Sequence, residues 1–156
     1  MKYDGTRKHT ENDEYASFEG QTAAGFPIVG VVNNSLVYWD RKASHPWIAA
    51  VKIEFDGTQN NGLPDESTYD LLNEIEGQVE AEFKDVDGYL SVGHETGANE
   101  RTFYLACKEF RKPSKVLDSI GKTFADRAAI TYSIYKDKYW RTFDRFVTVD
   151  DDAEPS

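Results

Sequence analysis

The clearest polarity pattern in the chain runs over residues 47–55. Trp47, Ala49, Val51, Ile53 and Phe55 fall on one side of a two-residue alternation, and Lys52 and Glu54 fall on the other, with Ile48 and Ala50 at its start. That period predicts a strand with one wetter face. A longer period follows. Leu72, Ile75, Val79, Phe83 and Val86 recur at three and four residues, which predicts a helix from Pro64 through Phe83 with a single apolar stripe. Gly62 permits the turn before it, and Pro64 pre-sets φ for its first turn. Asp65 and Glu66 then put carboxylates at the positive end of the helix dipole. Asp87-Gly88 closes the helix. Residues 89–96 read as a strand, Gly97-Ala98-Asn99 as a tight connection and residues 101–107 as the return strand of a hairpin. In that return strand Phe103, Leu105 and Cys107 share one face, and Tyr104 and Ala106 the other. A second helix is predicted from Pro113-Ser114, with Ser114 as its N-cap and Val116, Leu117, Ile120, Phe124 and Ala128 as its stripe. Ile130, Tyr132 and Ile134 alternate through a last strand, and Asp137 is placed to cap a short terminal helix carrying Trp140, Phe143 and Val147.

The N-terminal part is less periodic. Residues 1–15 are polar and read as a mobile lead-in. Phe18 and Phe26 bracket a loop, residues 27–32 are β-branched and strand-like, and Asn33-Asn34-Ser35 is a turn signal. Residues 36–39 are too few to decide between strand and loop. From Trp47 onward the order is strand, helix, strand, strand, helix, strand. This predicts an α+β fold, a ferredoxin-like βαββαβ sandwich whose four-stranded antiparallel sheet carries both helices on one face. An extra N-terminal strand or hairpin and a short C-terminal helix would complete it. Residues 1–156 read as one domain, with a globular core over 16–149 and an acidic tail over 150–156.

Charge changes the picture. The chain carries a net −10, and residues 64–87 hold nine acidic side chains against one lysine. Residues 111–127 hold five basic and two acidic residues, so the two helices should attract along their facing rims. Such a distribution argues against nucleic-acid and anionic-membrane binding, which need a basic face. It suits a basic protein partner, met through Asp70 and Glu74 on the outer side of the first helix and Glu80 on its flank, with Glu66 near its start. The single cysteine, Cys107, lies among Phe103, Leu105 and Ala106 and reads as a small buried hydrophobe. It cannot form an internal disulfide, and no run reaches the roughly 18 apolar residues of a membrane span. No secretory signal opens the chain, and a cytoplasmic setting fits.

Candidate chemistry is sparse. His9, His45 and His94 lie on three different segments without metal-ligand spacing, and no phosphate loop, catalytic triad or cofactor motif is present. One cluster stands out. His94 and Glu95 face Arg101 across the predicted hairpin, a combination that can bind an anion or move a proton. The competing reading is a solvent-exposed hairpin with ordinary cross-strand charge pairs. Glu76 sits about 40° from Leu72 around the helix axis, so it should be partly buried and in need of an arginine or backbone partner.

Several runs, taken together, resemble a known family: Asn61-Gly62-Leu63-Pro64-Asp65-Glu66, Leu72-Asn73-Glu74-Ile75-Glu76, Val92-Gly93-His94-Glu95-Thr96, Arg101-Thr102-Phe103-Tyr104, and Tyr135-Lys136-Asp137-Lys138-Tyr139-Trp140. In this order they are similar to the bacterial domain-of-unknown-function family six-nine-five, over roughly residues 26–146. In some bacterial chains that domain is joined to one similar to ribonuclease E regulator B, a small acidic protein of ferredoxin-like fold that binds and inhibits the nuclease. The resemblance implies the fold derived above and implies no activity, cofactor or catalytic residue. Two functional readings follow. One is a non-enzymatic binding or regulatory domain that meets a basic protein through Asp70, Glu74 and Glu80. The alternative is a small-molecule-binding domain or enzyme that uses His94, Glu95 and Arg101.

Overall fold

The alternation at 47–54 does build a strand, and it becomes an interior one. In the computed structural model, which describes residues 14–36, 42–84 and 87–141, the strands are β1 (Tyr15–Gln21), β2 (Pro27–Asn33), β3 (Trp47–Glu54), β4 (Tyr89–Gly97), β5 (Glu100–Cys107) and β6 (Ala129–Lys136). Two helices, α1 (Glu66–Glu82) and α2 (Arg111–Thr123), separate them. All six strands form one antiparallel sheet in the order β1-β2-β4-β5-β3-β6. The fold is thus a mixed α+β arrangement of one six-stranded antiparallel sheet and two helices. The expected ends that lie outside the described residues are the lead-in up to residue 13, residues 37–39, Val86, the helix positions Phe143 and Val147, and the tail 150–156.

Both helices pack on one face. Leu72, Ile75, Val79 and Phe83 of the α1 region and Leu117, Ile120 and Phe124 of the α2 region bury against Ala49, Val51, Ile53, Phe103, Leu105, Cys107 and Tyr89. The opposite face has its own core, in which Val32, Leu36, Ile48, Leu90, Val92, Tyr104, Ala106 and Trp140 meet. This second core takes in the start of the other face of β3 at Ile48, and the wetter half expected there is found at Lys52 and Glu54. Ile48 is buried because an interior strand is covered on both sides, and among the described residues of β3 only Glu54 is exposed. The terminal piece supplies part of that cover. Asp137 accepts the Arg141 amide at 2.9 Å, and Trp140 is turned inward with its Nε1 donating to the His45 carbonyl at 2.8 Å. Trp140 is 2% exposed.

Three local expectations shift. Pro64 precedes the α1 cap instead of opening the helix, because the Asp65 carboxylate accepts the Thr68 amide at 2.8 Å and so takes the cap position. The α2 helix starts at Arg111, ahead of Ser114. The Glu109 carboxylate accepts the amides of Arg111 at 2.6 Å and Lys112 at 3.2 Å, and Pro113 fits the first turn, where amides lack intrahelical partners. Ser114 meets Tyr132 of β6 instead. Finally, Tyr15 and Phe18 belong to a strand, β1, which pairs with β2 from Tyr15↔Asn33 to Gln21↔Pro27. The lead-in and loop expected there give way to the N-terminal hairpin, which joins the sheet beside β4. Its pattern is faint because only Ala16 and Phe18 pack inward.

The stretch around Gly62 anchors the β4–β5 hairpin. The turn residues Ala98 and Asn99 both have positive φ, as a two-residue hairpin requires. Asn99 donates to the Gly62 carbonyl at 3.0 Å, and its own carbonyl and side chain accept the amides of Phe55 and Gly57. Gly62, at φ 87, lies so close to the Ala98 backbone that a side chain there would clash.

Candidate functional site

One flank of α1 is polar where a helix against a sheet would normally be apolar. Glu66, Tyr69, Asn73, Glu76 and Glu80 follow one another at three and four residues, so they share that flank. Beneath them the sheet presents His94 and Thr96 from β4 and Arg101 from β5. Strand register explains their direction. A bulge between Ser91 and Gly93 inserts Val92, so His94 and Thr96 fall on the helix face although simple alternation from Leu90 would turn His94 away. Arg101 shares the face of Phe103 and Leu105 by ordinary alternation.

The result is a closed ionic cluster. Arg101, 2% exposed, donates from Nε to the Thr96 hydroxyl at 2.8 Å and from Nη1 to Asn73 Oδ1 at 2.9 Å and Glu76 Oε1 at 3.3 Å. The Tyr69 ring lies over its guanidinium at 5.4 Å. Glu76 Oε2 lies 2.9 Å from His94 Nδ1, within hydrogen-bond distance. Glu80, one turn on, has an exposed side chain overall, yet its carboxyl end tucks against Glu76. Desolvation of that end, with the negative charge and hydrogen bond of Glu76, pushes its pKa up to about 7, while His94 acts in the opposite direction.

The expected sites are therefore rearranged. His94 and Arg101 do come together, through Glu76. Glu95 does not join them, because it projects to the opposite face and accepts the Tyr104 hydroxyl at 3.3 Å. Of the acidic trio, Asp70 is exposed and has no hydrogen bond or ion pair among the described residues. Glu74 is held bidentately by Arg127, at 2.8 and 3.1 Å, which ties α1 to the segment after α2 and lowers the Glu74 pKa. Glu80 belongs to the buried cluster's rim. Helical angle alone had pointed to Glu76; Asn73, Thr96 and Tyr69 gave no signal, since their roles depend on which strands lie under α1.

Chemically the cluster holds charge in place. The guanidinium is spent on internal acceptors, and the Thr96 hydroxyl is occupied by Arg101. Among the described residues no group of three or more His, Cys, Asp or Glu converges as a metal site. Burial pushes the Cys107 thiol up to about 12, with Glu109 adding to the effect, which leaves it a poor nucleophile. Among the described residues no helix is long and apolar enough to cross a membrane. No curated protein and no solved structure matches the chain. A family match covers residues 20–148, and the chain belongs to DUF695, a family of unknown function.

Proposed function

We propose that this protein is a non-enzymatic binding domain, built on a ferredoxin-like sandwich, that meets a basic protein partner. The frame is supported by the strand order β6-β3-β5-β4 with both helices on one face, the arrangement that two split βαβ units produce. The functional reading rests on one observation. The sole buried cation of the cluster is satisfied internally, while Glu66 and Asp70 on α1 are exposed without an ion pair among the described residues. A negative face of this kind attracts a basic partner over distance and raises its association rate. Ligand binding at His94, Glu95 and Arg101 has less support, because Arg101 is sealed and Glu95 lies on the other face. A cytoplasmic setting belongs to the reading and is supported by the one cysteine being a buried free thiol.

The test is the association rate of a captured basic partner with the triple variant Asp70→Asn, Glu74→Gln, Glu80→Gln. We expect slower association, and a similar slowing of the wild type on raising salt. Because Glu74 is paired and Glu80 is half protonated near neutral pH, Asp70→Asn alone should carry most of the effect. Equal rates for the triple variant and the wild type at low salt would remove the acidic face from the function.

A further inference from the structure

The sheet is wider than its helical cover. Six strands at a spacing of about 4.8 Å span about 24 Å between outer axes, whereas two helices of about 10 Å diameter cover roughly four strands. Here α1 lies over β4 and β5, as the contacts of Glu76 with His94 and Arg101 show, and α2 reaches β6 through Ser114 and Tyr132. The helix-side face of β1 and β2 is left uncovered among the described residues, over a width of about one helix. Cross-strand pairing places Tyr15, Ser17 and Glu19 of β1 and Val29 and Val31 of β2 on that face, next to Thr96 and His94.

This strip has the composition of an interface. Six large apolar side chains are exposed among the described residues, and three of them lie along it, Tyr15 and Val29 on the strip and Tyr69 on the polar flank of α1. The floor of the strip is mixed, with Val29 and Val31 beside Ser17, Thr96 and His94, and exposed tyrosines are a feature of docking surfaces. An open hollow of about 420 Å³, lined by Glu19, Gln21, Pro27, Val29 and Leu63 among others, lies at one end of the strip. Its charged border is acidic on both sides, with Glu19 on β1 and Glu66 and Glu80 on α1.

We propose that the uncovered face of β1–β2, beside the polar flank of α1, docks a basic amphipathic helix of a protein partner, in the place a third covering helix would occupy. This inference rests on the reading of a basic partner and adds the surface and the form of the ligand. The apolar side of the incoming helix lies on Val29, Val31 and Leu63, and its Lys or Arg residues reach Glu19 and Glu80. Arrival of a cation beside Glu80 favours its ionised form, so docking releases a proton and strengthens between pH 6 and 8. The groups that face Glu80 are Glu76 from α1, His94 from β4 and, through Glu76, Arg101 from β5.

The experiment titrates the full-length, isotope-labelled chain with a synthetic peptide of about five helical turns that carries leucines on one side and lysines on the other. A scrambled peptide of equal charge serves as control. We expect the amide signals of Val29, Val31 and His94 to shift with the amphipathic peptide only, and Val29→Asp, a surface change that leaves the fold intact, to weaken binding at least tenfold. Equal shifts with the scrambled peptide overturn the proposal, as does a dimer of the free chain that Val29→Asp dissociates, which would make a second copy the occupant. Shifts confined to the outer α1 residues around Asp70 overturn the groove but leave the basic-partner reading standing. Absence of binding by both peptides at low salt overturns both.

Discussion

The two ends of the sheet are built differently. From β4 to β6 the helices cover one face, and the turn residues around Leu36 and Trp140 cover part of the other. At the β1–β2 end the described residues cover one face only, with Phe18 and Val32 joining the second core, while Val29 faces outward at 38% exposure. At the covered end the buried Arg101 meets Thr96, Asn73 and Glu76, and the charges left unpaired there, Glu66 and Asp70, lie on the outer surface of α1. The open end spends few apolar side chains on stability, and Tyr15, Phe26 and Val29 are exposed there. Substitutions at the two ends should therefore separate stability from recognition.

The largest expected effect is at Arg101. Arg101→Met leaves the largely buried Glu76 with His94 and Glu80 but no arginine, and loss of one member of a buried ion pair costs about 3–5 kcal/mol. Chemical denaturation measures it, and the double change Arg101→Met with Glu76→Leu should recover a large part of the loss. If the single variant is as stable as the wild type, the cluster is not sealed. Next comes Ile75→Ala, expected to cost about 2–5 kcal/mol through the cavity it leaves against Val51, Ile53 and Phe103, whereas Val29→Ala at the open end should fall within about 0.5 kcal/mol. Similar melting temperatures for the two would erase the distinction between the ends.

A smaller, pH-dependent effect is expected at Glu80. In the folded chain its carboxyl holds a proton up to about pH 7, whereas the unfolded chain loses that proton in the ordinary carboxylate range. Its contribution is complete below that lower range and is lost as pH rises towards 7. Glu80→Gln should thus be neutral at pH 4 and stabilise by about 1 kcal/mol at pH 8, a figure reduced for solvent screening at a side chain that is exposed overall. Denaturation curves at the two pH values check this; the same difference at both would place the carboxyl in open solvent. The smallest effect belongs to the surface pair of Glu74 with Arg127. Glu74→Gln should change stability by about 0–1 kcal/mol, and less at high salt.

Much of the covered end was legible from periodicity. The stripe Leu72, Ile75, Val79, Phe83 and the alternation Phe103, Leu105, Cys107 state which side is inward, because burial imposes a repeat of about 3.6 in a helix and 2 in a strand. Trp140 was readable too, since a tryptophan beside a capping aspartate has few ways to avoid the core. The open end was not legible. A strand buried on one face by Ala16 and Phe18 alone carries too few apolar positions to mark a period. The face that His94 takes was not legible for another reason. A single inserted residue at Val92 reverses the face of every side chain after it, and nothing in the local sequence states where pairing slips.

By itself, then, the sequence determined the inward stripes, the two helices, the central hairpin and the sign of the surface charge, because each depends on neighbours within a few residues. Glu76 also belongs here, since helical angle alone placed it near the buried edge. Only the tertiary structure decided that Arg101 closes under Asn73 and Tyr69, that Glu95 turns away from His94, and that β1 and β2 extend the sheet past its helices. Those outcomes depend on strand order and register, which are fixed by pairing between segments far apart in the chain. Local pattern reports whether a side chain is buried; it does not report against what.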